Sequence, residues 1–138
     1  MEHHSDYHYT KEITTNTIRL RMLSNGIIHY TYLPDAEVDE VEHLQNHKAL
    51  LELVNEKAKY PALLDGDDFA VVTPEGRKLV RELEPYIPVS ARAMVIKQLG
   101  QRLLANFYIK FHKPIIPTKI FNDHREALKW LNDYHKLS

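Results

Sequence analysis

The alternation of apolar and polar residues near the N-terminus predicts a β-hairpin. Apolar residues alternate with two arginines over 18–22, and this period of two is typical of a strand with one buried face. Asn25-Gly26 follows, and because both residues tolerate a positive φ, the pair favours a tight turn. The return strand is predicted over 27–33, which is rich in β-branched and aromatic residues and ends at Pro34.

Beyond the hairpin, the hydrophobic period indicates amphipathic helices separated by short strands. The predicted elements are helices over 39–57, 73–83, 99–111 and 123–134, and strands over 60–64, 91–96 and 118–121. Thr73 is a favourable N-cap and Pro74 a favourable first helical residue, because proline has no amide hydrogen to leave unpaired there. The apolar run Met94-Val95-Ile96 indicates a strand covered on both faces.

The same period predicts which helical side chains face the core. The inward residues are expected to be Val41, Leu44, Leu51 and Val54 in the first helix and Ala127, Leu128, Leu131 and Tyr134 in the last. Capping boxes are predicted at the starts of both helices, formed by Asp39 with Glu42 and by Asp123 with Glu126.

The order β-β-α-β-α-β-α-β-α predicts a single α/β domain over 17–138. Strands separated by helices imply right-handed crossovers and a mostly parallel sheet, to which the hairpin adds an antiparallel N-terminal edge strand. Residues 1–16 are polar and aperiodic. We therefore expect them to form a flexible arm, although its three histidines could also bind nickel or zinc in vitro.

Composition excludes several classes of function. The 138 residues carry a net charge of −1, with 43% hydrophobic and 27% charged residues, and they include no cysteine. This balance disfavours nucleic-acid binding, and the absence of cysteine excludes disulfides and thiol catalysis. No apolar run reaches the roughly 18 residues that would span a bilayer, so we expect a cytoplasmic protein without a membrane span.

Five segments together resemble a known family. They are Asn25-Gly26-Ile27-Ile28, Tyr60 to Asp65, Arg102 to Pro114, Pro117 to Phe121 and Glu126 to Leu131. Their order resembles the STAS fold, named for sulfate transporters and anti-sigma-factor antagonists, and in particular a group of bacterial STAS/SEC14-type, SpoIIAA-like proteins. The resemblance covers 17–135 and implies a SpoIIAA-like α/β domain.

The resemblance also implies a regulatory role for Thr73. In partner-switching STAS proteins, a serine or threonine at the start of the second helix is phosphorylated by a cognate kinase, which breaks the partner complex. A phosphate on Thr73 would add about −1.5 to −2 charge near Asp67, Asp68 and Glu75. The junction departs from the Asp-Ser-Ser-Gly motif of that family, since only the hydroxyl and Gly76 remain, and a structural N-cap is the alternative role.

These observations favour a non-enzymatic module that binds another protein and forms a small homo-oligomer. The predicted contact surface is the loop 65–76 with the helix after it, and its candidate contact residues are Asp65, Asp67, Asp68, Glu75 and Gly76.

The alternative is a small-molecule or lipid-binding protein that uses the aromatic third helix. Phe107, Tyr108 and Phe111 recur there at helical spacing and would face an apolar ligand or a homodimer partner. Packing in the core is the simpler explanation of the three.

An enzymatic alternative rests on Asp65-Gly66-Asp67. This triplet resembles the Asp-x-Asp pair of haloacid-dehalogenase-type phosphatases, which would require Mg²⁺, but here it follows a hairpin and a long helix. His43 and His47 have the spacing of metal ligands on a helix, but no third ligand lies nearby in the sequence. We therefore predict no catalytic residue, no metal and no cofactor.

Charge is distributed unevenly along the chain. Residues 35–42 are acidic, whereas the C-terminal half carries Arg92, Lys97, Arg102, Lys110, Lys113 and Lys119. This layout suits an anionic ligand, a lipid headgroup or a partner protein. Solvated faces are the simpler explanation of these charges.

Overall fold

The computed structural model describes residues 8–54 and 57–137. The strands are β1 (Tyr9–Thr14), β2 (Ile18–Leu23), β3 (Ile28–Tyr32), β4 (Glu37–Val38), β5 (Tyr60–Gly66), β6 (Val71–Val72), β7 (Val89–Val95) and β8 (Thr118–Phe121). The helices are α1 (Glu40–Leu53), α2 (Pro74–Leu83), α3 (Leu99–His112) and α4 (His124–Leu137), and a 3-10 turn follows α2 at Glu84–Tyr86.

Six strands form one sheet in the order β1-β2-β3-β5-β7-β8. The pairs β1–β2 and β2–β3 are antiparallel, and the three remaining pairs are parallel. The predicted α/β class is therefore confirmed, and so is the hairpin turn, where Gly26 adopts a φ of 87°. A second, two-stranded sheet joins β4 to β6 in parallel.

The prediction of a flexible arm is wrong for 9–14, which form β1. This strand pairs with β2, so β2 is not the edge of the sheet. Polar cross-strand contacts hold the pair: Arg21 Nε lies 3.0 Å from Glu12 Oε2, and the Arg21 guanidinium lies 4.2 Å from the centre of the Tyr9 ring. Ile13 packs against the core. The first seven residues of the predicted arm, with His3 and His4, lie outside the described residues.

The helices divide unequally between the two faces of the sheet. In the six-stranded sheet, β5, β7 and β8 are each added on the same side of the strand that precedes them in that sheet, so right-handed crossovers place α1, α2 and α3 on one face. We call this the α1 face. The opposite face, which we call the α4 face, is covered by α4, whose Ala127 and Leu131 pack against Leu63, Ala91 and Ala93. The predicted inward residues of α4 are confirmed by this packing.

The prediction of which α1 residues face the core is wrong for the first half of the helix. Val41 and Leu44 are exposed, and the buried residues are Asn46, Ala49, Leu50 and Leu53. Asn46 turns inward because hydroxyl groups of the β1–β2 turn bind its amide, with Thr15 Oγ1 donating to Asn46 Oδ1 at 2.7 Å and Asn46 Nδ2 donating to Thr17 Oγ1 at 3.0 Å. A buried polar residue with its hydrogen bonds satisfied thus sets the orientation of the helix.

Candidate functional site

The α1 face is incompletely covered where α2 and α3 cross it. In β7, Ala91, Ala93 and Val95 are buried beneath α4, whereas Arg92 and Met94 point to the α1 face and are only half-buried. Parallel strands normally have both faces covered. The expectation that Met94 lies in a strand covered on both faces is therefore wrong, because α2 and α3 stand away from the sheet there.

The space between α2, α3 and the sheet is a cleft of about 440 Å³. Its apolar lining comes from strands, from α2 and α3, and from the segment after α3, and comprises Tyr32, Leu64, Val72, Met94, Val80, Ile109, Pro114 and Ile115. This volume falls within the roughly 300–1,000 Å³ typical of small-molecule sites, which are mostly apolar and hold a few fixed polar groups.

The polar lining of the cleft is mainly cationic. Arg77, Arg81, Arg92 and Lys113 line it together with one carboxylate, that of Glu84. The cleft therefore carries an excess of positive charge, which favours an anionic group.

Glu84 is occupied by partners within the protein. Its Oε2 accepts a hydrogen bond from Arg92 Nη2 at 2.8 Å, and its Oε1 accepts from the backbone amides of Ile115 and Ile116. Arg92 also donates through Nε to Thr118 Oγ1 at 3.2 Å. Among the described residues that line the cleft, this one carboxylate is thus committed to fixing the turn after α3 and to the arginine beside it.

Tyr108 connects α2 to α3 across the mouth of the cleft. Arg81 Nη1 donates to Tyr108 Oη at 2.5 Å, and the Arg77 guanidinium lies 5.7 Å from the centre of the same ring. Arg77 also donates to the carbonyl of Val72 at 2.6 Å. Both arginines are therefore held in place before any ligand arrives, which lowers the entropy cost of binding.

The structure separates the three aromatic residues predicted in α3. Tyr108 lines the cleft, whereas Phe107 and Phe111 point away from the protein, and their rings stack with centres 6.1 Å apart. Packing in the core, the simpler sequence interpretation, is therefore wrong for these two phenylalanines. Their role in a ligand or dimer face stays a prediction.

Asp65 belongs to the interior of the protein. Its Oδ2 lies 2.8 Å from Nε2 of both His29 and His124, and its Oδ1 accepts from Thr31 Oγ1 at 2.8 Å. Because a carboxylate only accepts hydrogen bonds, both imidazoles donate through Nε2. Asp65 is therefore buried, although it was predicted as a contact residue of the 65–76 loop, because β5 directs its side chain to the α4 face, where β3 and α4 supply the donors.

The other two aspartates organise the loop after β5. Asp67 accepts from the amides of Phe69 and Asp35, each at 3.0 Å, and these hydrogen bonds lower the pKa of Asp67. Asp68 Oδ2 accepts from the amides of Lys97 and Gln98, at 2.9 and 2.8 Å. The loop is thereby attached to the start of α3.

The remaining predicted contact residues differ in exposure. Glu75 is exposed in the first turn of α2, but Gly76 is buried, and a Cβ added there would lie 2.6 Å from the carbonyl oxygen of Val38. The loop also exposes Phe69 and Val71, which sequence reasoning did not select.

Thr73 caps α2, as predicted. Its hydroxyl accepts from the amide of Gly76 at 3.0 Å and donates to Asp39 Oδ1 at 2.7 Å. The pairing of β4 with β6 brings these residues together, since it sets Val38 beside Val72. Phosphorylation of Thr73 stays a prediction.

His43 and His47 lie together at the α1 side of the sheet, near Tyr30. Burial, with a further contribution from His47, lowers the pKa of His43 to about 4. Within residues 8–54 and 57–137, no group of three or more histidine and carboxylate side chains is arranged to hold a metal ion. Over the same part of the chain, no helix combines the length and the apolar character that crossing a membrane requires.

The sequence analysis did not select four of the residues that carry most of the polar geometry, namely Arg77, Arg81, His29 and His124. Arg77 and Arg81 lie four apart on α2, a spacing that places them on one side of the helix. Arg92 was named only as part of a basic region, although its position in a largely apolar strand was a signal for a buried ion pair. His29 and His124 gave no such signal, because each meets Asp65 only through tertiary packing.

Comparison with known proteins supports the fold and the family. A comparison with curated proteins gives no match. Among solved structures, this chain is similar to an uncharacterized protein of the DUF3478 family with a SpoIIAA-like fold, from Shewanella loihica PV-4. The TM-score is 0.50 at 14% identity, over 91% of this chain and 94% of the other. This likeness shows the fold, and it agrees with the SpoIIAA-like resemblance of the sequence.

The family is given by a sequence comparison of a different kind. The model of a family described as "Domain of unknown function (DUF7793)" matches residues 21–135, which is most of the chain. The matched range runs from β2 to α4 and includes every residue of the cleft named above. The protein therefore belongs to the DUF7793 family.

Proposed function

We propose that this protein is a non-enzymatic binding module whose ligand is a small molecule with an apolar body and an anionic end. The observation that carries the proposal is the cleft beneath α2 and α3, where half-buried apolar side chains of the sheet lie beside four cationic side chains. A ligand seated there would complete the cover that parallel strands normally have.

The cations suit recognition of a carboxylate or a phosphate. Arginine presents a planar set of donors that matches both groups, and Arg77 and Arg81 are already positioned by their contacts with Tyr108. Leu64 and Met94 on the floor of the cleft offer an apolar surface to the rest of the ligand. The engagement of Glu84 by Arg92 and two backbone amides supports a binding role over a catalytic one, because its oxygens are occupied.

A fluorescence titration with dansyl-aminoundecanoic acid, a probe with an apolar chain and a carboxylate, tests this function. The parent protein should bind the probe, and Arg81→Gln should weaken binding by about tenfold, the worth of one charge-assisted hydrogen bond. Lys78→Gln is the matched control, because Lys78 lies on the exposed side of the same helix and outside the cleft.

Two results would contradict the proposal. One is an absence of probe binding by the parent protein. The other is equal weakening by Arg81→Gln and Lys78→Gln, which would indicate attraction by net charge without a site in the cleft. Filling the cleft with Val80→Trp gives an independent check, since it should block the probe without removing a charge.

A second candidate function, regulated protein binding, has a separate observation in its favour. Phe69 and Val71 expose large apolar side chains on the loop that leads to Thr73. A protein captured from the source cell through this surface should be lost with Phe69→Ser and with Thr73→Glu, and kept with Val41→Ser, an equally exposed apolar site on α1. Capture that is identical for all variants would exclude this loop as the contact surface.

A further inference from the structure

Helix α3 has its apolar side toward solvent. Five of its large apolar residues, together with Ile115 just beyond its end, are between 61% and 71% exposed. These are Leu99, Leu103, Leu104, Phe107, Phe111 and Ile115. At 3.6 residues per turn, the five helical residues form one continuous apolar stripe. A contiguous surface of this kind marks an interaction site more often than a chance exposure.

The polar side of α3 is fixed toward the protein. Arg102 Nη1 donates to the carbonyls of Ile96 and Lys97, at 3.1 and 2.7 Å. Gln101 donates to the carbonyl of Asp68 at 3.3 Å, and Tyr108 accepts from Arg81. Turning the helix to bury its apolar stripe would break these hydrogen bonds. The outward stripe is therefore set by the same contacts that attach α3 to the domain.

The surroundings of the stripe are cationic. Residues 97–121 contain five lysine and arginine residues and no aspartate or glutamate, so this segment is positively charged although the net charge of the chain is −1. Lys97, just before α3, and Lys110, near its end, are both exposed. The carboxylate of Asp68, which lies beside the start of the helix, is occupied by two backbone amides.

We infer that α3 docks the protein onto the surface of an anionic lipid bilayer. An apolar stripe flanked by cations is the pattern of helices that lie in the membrane interface without crossing it, and each cation near such a surface adds attraction to anionic lipid. A second copy of the chain fits less well, because a two-fold contact through the stripe would bring two cationic rims together.

A vesicle sedimentation assay with the full chain tests this inference. The parent protein should bind vesicles made of equal parts phosphatidylcholine and phosphatidylglycerol, and bind much less to phosphatidylcholine alone. Phe107→Ser and Phe111→Ser should each weaken binding by about tenfold, since each removes one exposed ring from the contact. Val41→Ser and Leu44→Ser on α1 are the matched controls, because they are also exposed apolar sites, and they should bind as the parent does.

The charge requirement is tested separately. Lys97→Gln and Lys110→Gln should each weaken binding by roughly fivefold, whereas Lys48→Gln and Lys129→Gln, at exposed sites on α1 and α4, should have little effect. Arg81→Gln should retain vesicle binding, so failure of the cleft proposal and failure of this one are distinguishable.

Several results would overturn the inference. They are an absence of vesicle binding by the parent protein, binding that does not depend on phosphatidylglycerol, and stripe variants that bind like the parent. The inference would also be overturned if the parent protein were a dimer, the Phe107→Ser variant were a monomer, and neither bound vesicles. This last result would assign the stripe to a second copy of the chain.

Discussion

Replacing Asp65 by alanine should lower the free energy of unfolding by about 3–5 kcal/mol. The Asp65 side chain is 5% exposed and accepts hydrogen bonds from three side chains, those of His29, Thr31 and His124. Each buried donor that loses its acceptor costs about 1–3 kcal/mol, and breaking a buried charged interaction costs about 3–5 kcal/mol in total after relaxation. This is a large fraction of the roughly 5–15 kcal/mol that stabilises a domain.

Asp65→Asn separates the loss of charge from the loss of hydrogen bonds. The amide oxygen can still accept from the two imidazoles, and the amide nitrogen can donate to the hydroxyl of Thr31. Only the charge-assisted part of the three bonds is then lost, which amounts to about 1–3 kcal/mol. Asparagine should therefore be less harmful than alanine.

Urea denaturation with linear extrapolation measures both losses. Fluorescence of Trp130 reports on α4, the helix that carries His124 and packs on Phe121. Asp67→Ala is the control, because its carboxylate accepts from two backbone amides near the surface, and it should change stability far less. The reasoning would be refuted by an asparagine variant as unstable as the alanine variant, or by an alanine variant within about 1 kcal/mol of the parent.

Three further predictions concern the helices. Gly76→Ala should lower stability by about 1–3 kcal/mol, since its Cβ would meet the carbonyl of Val38 at 2.6 Å. Gly100→Ala, in open space on α3, should instead raise stability by up to about 1 kcal/mol. Urea titration measures both changes. Thr73→Ala should cost about 1 kcal/mol by the same assay, because α2 loses its N-cap, and Thr73→Ser should restore the loss. Burial, and secondarily His47, lowers the pKa of His43 from 6.5 to about 4. The unfolded chain therefore binds a proton that the folded chain excludes in this window. The free energy of unfolding should therefore fall as the pH drops from 6.5 to about 4. Urea titrations at neutral pH and within this range should show a smaller fall for His43→Gln than for the parent protein.

The secondary structure could be predicted because its signals are local. The Asn25-Gly26 turn, the Thr73 cap and the apolar side of α4 are each encoded by neighbouring residues. Strand β1 was missed because its polar sequence is held by contacts across the sheet, such as Glu12 with Arg21. Its stability as a strand depends on a partner that the period of the sequence does not indicate.

The site was only partly predictable because it depends on distant partners. His29 and His124 lie 36 and 59 residues from Asp65 in the sequence, so no motif joins them. The outward orientation of α3 could not be predicted either. The hydrophobic pattern shows that the helix has an apolar stripe, but it does not show whether that stripe faces the core or the solvent. Hydrogen bonds of Arg102 decide that orientation. The sequence predictions failed mainly where hydrogen bonds between polar groups, and not the hydrophobic period, set the orientation of an element.

The order of strands in the sheet has a consequence for how the chain assembles during synthesis. Within the six-stranded sheet, each strand from β2 onward joins at the edge left by the strand that precedes it in that sheet, so no strand has to be inserted between two that have already paired. A chain still bound to the ribosome can therefore add each strand to one free edge of the sheet as that strand emerges, in the N-to-C order of synthesis. Asp65, however, receives its donor from α4 only after the whole sheet has emerged. Until α4 packs onto the sheet, the carboxylate of Asp65 therefore lacks one of the hydrogen bonds that it accepts in the folded protein.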